Sequence, residues 1–136
     1  MLVIRDDQMA VFARLFRDRF INETAELLRA ERAEAVAGLP ADRLRDRVAH
    51  AFDRAEAYGM RDDDALQHFT MLMFEFGPDF DDRPRVRAIL EDPSIPADDR
   101  LDDLLEHLPH RVWEELLILA DHAGWPDAGG HSDERG

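Results

Sequence analysis

The chain has 136 residues, no cysteine and no lysine, and a formal net charge of −14. That length fits one domain with a real core. Missing cysteine excludes disulfides and thiol catalysis and suits a cytoplasmic protein. The charge disfavours binding to nucleic-acid phosphates, because no basic patch offsets the repulsion.

No run of eighteen apolar residues is present, so no membrane span is expected. The opening MLVIRDDQM has no basic stretch before a long apolar one and does not read as a signal peptide. Every strong base is arginine, whose planar fork suits pairing with Asp and Glu within the chain. A GC-rich coding bias produces the same composition.

Met1–Arg5 reads as a short extended lead, with Asp6 as an N-cap. A first helix is expected from about Asp7 to Ala37. Met9, Phe12, Ala13, Phe16 and Phe20 repeat at helical spacing, Leu27 and Leu28 continue the stripe, and Val11 and Leu15 widen it. A bend is expected near Asn22–Thr24, where helix propensity dips. Gly38-Leu39-Pro40 supplies a stop.

A second helix covers about Ala41–Tyr58, with Leu44, Val48, Ala51, Phe52, Ala55 and Tyr58 on one face. Gly59 ends it in the left-handed region. The third helix, Asp63–Phe76, is apolar nearly all round. A helix of that kind must be surrounded by others, so it is expected at the centre, with Phe69, Leu72, Met73 and Phe76 almost wholly buried. Gly77-Pro78 ends it.

A short fourth helix follows over Pro84–Glu91, with Pro in its first turn. A fifth is expected over Ala97–Leu108. Pro109 separates it from a sixth, His110–His122, in which Val112, Trp113, Leu116, Leu117 and Leu119 are apolar. The fold class is therefore all-α: one compact domain of five to six helices over residues 1–125, with a disordered tail over 126–136.

Six histidines raise the question of a metal. Di-iron helical bundles use Glu-x-x-His twice, and this chain has none. Its acid-to-His spacings are four (Asp46/His50, Asp64/His68, Asp103/His107, Glu106/His110) and read as surface helix pairs. Pro109 also interrupts the segment carrying His107 and His110. No metal and no cofactor is expected. Asp62–Asp64 and Asp79, Asp81 and Asp82 sit at predicted helix starts, where capping and the helix dipole favour negative charge. Asp79–Asp82 lacks the spacing of an EF-hand loop.

The chain contains no phosphate loop and no nucleophile elbow. Ser94, Ser132, Thr24, Thr70 and Tyr58 belong to no catalytic constellation, and the adjacent pair Asp121-His122 is not a triad. The residues give no positive sign of an enzyme. Phe12, Phe16, Phe20, Phe52, Phe69 and Phe74 read as core, and so do Met71 and Met73. Trp125 lies past the last helix. It either closes the core as a plug or stands at a partner surface.

Three stretches carry a resemblance. They are MLVIRDDQM with Phe12-Ala13-Arg14-Leu15-Phe16; Arg54-Ala55-Glu56-Ala57-Tyr58-Gly59-Met60; and Leu72-Met73-Phe74-Glu75-Phe76-Gly77-Pro78-Asp79-Phe80-Asp81 with Ile89-Leu90-Glu91-Asp92-Pro93. In order and spacing, up to about Leu105, the chain resembles small acidic helical accessory proteins encoded beside toxin and spike genes of type VI secretion and related contractile injection systems. That family has a longer segment between Pro84 and Ile89, so the fourth helix is expected to differ.

The resemblance implies a bacterial, non-enzymatic adaptor or chaperone for a secreted effector or its spike. The alternative is an immunity protein that neutralises a cognate toxin, and the lesser alternative is an enzyme of unknown type. The charge fits a protein partner with a basic surface. Trp113 and Trp125 are the candidate partner-binding anchors.

Overall fold

The computed structural model describes residues 6–126, with side chains from residue 8 onward. Among them lie six α-helices: α1 (Asp6–Glu31), α2 (Ala41–Ala57), α3 (Asp63–Phe76), α4 (Pro84–Leu90), α5 (Arg100–His107) and α6 (His110–Leu119). Three 3-10 turns join them, over Phe80–Asp82, Ala97–Asp99 and His122–Gly124. The described chain is all-helical and forms one compact domain. The expected lead over Met1–Arg5, the tail beyond Pro126, His131 and Ser132 lie outside the described residues.

Polar contacts fix the helix order. Arg17 on α1 reaches Asp53 (2.6 Å) and Glu56 (2.8 Å) near the end of α2. Gln67 on α3 donates to the Thr24 hydroxyl (3.1 Å), and Arg32 pairs with Glu75 (3.0 Å). So α1 runs antiparallel to α2 and parallel to α3. The third helix packs against α2, α5, α6 and the first 3-10 turn, and seven of its fourteen residues are buried. This is the crowding that its apolar composition requires. Phe69, Leu72 and Met73 are buried as expected. Phe76 is only half-buried, because α3's last turn reaches the surface and Phe76 packs on Trp113 there, 5.1 Å between ring centres.

The start of α1 overturns its predicted role. Buried residues begin only at Ile21, followed by Thr24, Ala25 and Leu28. Met9, Val11, Phe12, Leu15 and Phe16 are all exposed, Phe16 at 64%. The reason is length. At 1.5 Å per residue the 26 residues of α1 span about 39 Å. The bundle covers only the part from Arg17 onward, where α2 ends and α3 begins. The first ten or so residues of α1 overhang it.

The other end of α1 also differs from expectation. The helix is unbroken through Asn22–Thr24 but stops at Glu31, and turns carry residues 32–38. Those turns bring Val36 onto the core at 7% exposure.

After α2, the Gly59 N–H bonds to the Glu56 carbonyl and the Met60 N–H to that of Ala55. This is a Schellman ending, with Gly59 at φ +98 and Met60 fully buried. Gly77 also has positive φ, +95, but its ψ of 156 is not the left-handed helical value. Few residues other than glycine tolerate that region. A Cβ here would lie 3.1 Å from the Asp121 amide nitrogen. Gly77→Ala is therefore expected to cost about 2–3 kcal/mol in urea unfolding. Gly38→Ala, at φ +79 in open space, is expected to cost nearer 1 kcal/mol. Equal costs would count against the close approach as the cause.

The last residue of α6 is Leu119, three before the predicted end of the helix, and the chain turns away at Ala120, where it meets Gly77. The turn after it returns Trp125 to the core. Of the apolar residues of α6, Val112 and Leu116 are buried, while Leu117, Ile118 and Leu119 are left exposed.

Candidate functional site

The buried polar centre of the molecule sits where α2 meets the first 3-10 turn. Asp81 is fully buried. Its Oδ2 accepts a hydrogen bond from the Tyr58 hydroxyl (2.6 Å) and another from Arg54 Nε (2.8 Å). Its Oδ1 has no partner among the described residues. Arg54 also reaches Asp82 (3.3 Å), which Arg87 holds at 2.7 Å. Arg100 completes the wall, donating to the carbonyls of Tyr58, Leu90 and Ile95 at 2.9 Å each. Its guanidinium thereby caps the ends of α2 and α4. A recess of about 500 Å³ opens over Arg54, Tyr58, Asp81, Arg87 and Arg100.

The electrostatics follow from burial. Desolvation raises the Tyr58 phenol well above its ordinary pKa of 10, and its hydrogen bond to the Asp81 carboxylate adds to the shift. Burial opposes the charge on Arg54, but Asp81 and Asp82 outweigh it and the net shift is upward. Tyr58 thus stays protonated as a donor, and Arg54 stays charged. Neither is set up as a base or nucleophile near neutral pH. The arrangement is a clamp that locks α2 to the 3-10 turn and α4. The acids at 79–82 accordingly cap no helix: Arg83 occupies the N-cap position of α4, and Asp81 is spent on the clamp.

Asp62–Asp64 are likewise without a side-chain cap. Asp98, from the second 3-10 turn, accepts from the N–H groups of Arg61 (2.7 Å) and Asp62 (3.0 Å). Those bonds, Arg61's first, pull the Asp98 pKa down. The start of α3 is capped from 36 residues away. Ser94 forms a local turn, with its hydroxyl and N–H both donating to Asp92. Thr70 returns its hydroxyl to the Leu66 carbonyl within its own helix.

The described histidines do not converge. His107 ends α5 beside Asp103 (3.4 Å), and His110 starts α6 beside Glu114 (3.3 Å). Asp103, Glu106 and His107 bring ligand atoms within 4.8 Å of one another, but Glu106 and His107 are exposed and His110 is not among them. His50 packs edge-on to Trp125.

Trp125 is 2% exposed. Phe74 (4.8 Å between ring centres) and the guanidinium of Arg47 (5.2 Å) flank it. It is the plug of the two roles open to it, and its burial removes it as a surface anchor. Trp113 is half-buried on Phe76. The exposed large apolar side chains are elsewhere, on the overhang of α1 and at Leu105, Leu117, Ile118 and Leu119. Sequence reasoning placed most of these inside. Their excess over the width of one buried stripe was the available signal. Among the described residues, no helix is long and apolar enough to cross a membrane. Compared with family models, curated proteins and solved structures, the chain matches none.

Proposed function

We propose that this protein is a non-enzymatic protein-binding accessory, an adaptor or chaperone for a secreted effector or its spike. The observation that carries the reading is the outer face of α6. Ile118 is 80% exposed between exposed Leu117 and Leu119, and exposed Glu114 and Glu115 lie four and three residues before it on the same helix. An apolar patch edged by acids, on a chain of charge −14, suits a partner with a basic surface around an apolar spot. The charge steers the encounter and the apolar spot holds the complex. Trp113, one turn before Leu117 on the same helix, is half-buried on Phe76.

The test is capture of the neighbouring toxin and spike proteins from the native host, followed by measured binding of whichever is retained. Ile118→Glu is expected to weaken binding at least tenfold, the order of a central interface residue. Association of the unaltered protein should slow as salt rises. Rescue of toxin-expressing cells would assign the immunity role in place of the adaptor role. Capture of neither protein, with turnover of a small molecule instead, would overturn the accessory reading.

A further inference from the structure

We infer that the overhanging start of α1 is a self-association arm whose occupant is the same arm of a second copy. Met9, Phe12 and Phe16 recur at three and four residues, and Leu15 and Val11 extend the face around the helix. The rings of Phe12 and Phe16 stack with each other at 6.5 Å. No residue from 8 to 16 is buried. Among the described residues nothing lies over this face, because α2 ends and α3 starts at the level of Arg17.

Charge selects the occupant. Residues 6–20 hold three aspartates and three arginines and are neutral, in a chain of net charge −14. Two copies repel each other over most of their surface but not here. Asp6 and Asp7 come first, then Arg14, Arg17, Asp18 and Arg19, with Arg17 held by Asp53 and Glu56 of α2. Laid antiparallel about a twofold axis near Phe12, two arms bring their apolar faces together with no net charge of one sign on either. Met9 of one copy then comes opposite Leu15 and Phe16 of the second. Such a contact is isologous and closes at two copies. The exposed apolar side chains supply on the order of 500 Å² per copy, which puts the pair near the lower bound for a specific interface. A modest, concentration-dependent dimer is the consequence.

The arm is separate from the α6 patch. Arg32 beside Glu75, Phe76 on Trp113 and Gly77 against Asp121 place α6 at the other end of α1. The two readings therefore stand or fall independently.

The experiment is light-scattering mass across a concentration series of the full chain. The expected mass approaches twice 15.7 kDa at high concentration. Phe12→Glu with Phe16→Glu should return it to the monomer value, with an unchanged helical circular dichroism signal because both side chains are already exposed. Leu15→Arg alone should weaken the dimer at least tenfold and repeats the test through an independent variant. A monomer at every concentration, including one whose arm is taken by a different protein, overturns the inference. So does a dimer that both variants leave intact.

Discussion

Phe69→Ala is expected to cost about 3–5 kcal/mol. Phe69 is fully buried at the middle of α3, with the ring of Phe80 at 5.3 Å and that of Tyr58 at 5.9 Å. Three elements meet on it, so the cavity left by truncation cannot collapse without moving α2 or the 3-10 turn. A loss of that size is a large share of the roughly 5–15 kcal/mol that keeps a domain folded. Urea unfolding followed by tryptophan emission measures it. The matched control is Phe16→Ala, the same chemical change at 64% exposure, which should stay within about 0.5 kcal/mol. A cost below about 1 kcal/mol at Phe69 would mean that α3 is not the packed centre.

Asp81→Ala is the second large effect, at about 2–4 kcal/mol. It removes the acceptor shared by the Tyr58 hydroxyl and Arg54, and leaves a partly buried guanidinium with only Asp82 near it. Tyr58→Phe should cost about 1–2 kcal/mol, since it deletes one hydrogen bond to a charged group and leaves the ion pair. The two variants also differ with pH. The fold favours the protonated phenol, so Tyr58's contribution is complete below its ordinary value of 10 and is lost as pH rises through the higher folded value. Unfolding at pH 7 and above pH 10 should therefore show a steeper alkaline loss in the unaltered protein than in Tyr58→Phe. Equal slopes would show that the phenol titrates normally in the fold.

The bundle was legible in the sequence where one local rule sufficed. Asp63 and Phe76 bound α3 as expected, and Gly59 and Pro84 mark the end of α2 and the start of α4. Periodicity fails where it must say what covers a face. Phe12 and Phe16 have the spacing of core residues, and only the lengths of α2 and α3 decide that nothing among the described residues covers them. The same applies to Leu117 and Leu119. The clamp was hidden for another reason. Asp81 reads as one acid among several, and its partner Arg54 is 27 residues away. What sets Asp81 apart is depth, which the fold creates. Trp125 stood open between plug and anchor because an aromatic beyond the last helix carries no periodicity to choose between them.

That plug has a consequence for how the protein is made. Phe74 lies under Trp125, about fifty residues earlier in the chain. At roughly 5–20 residues per second, translation delivers the tryptophan several seconds after the phenylalanine it covers. During that interval α1, α2 and α3 can assemble on local contacts, but one end of their core has no lid. The last described turn thus acts as a latch, and a nascent chain becomes fully closed only when Trp125 has emerged to dock.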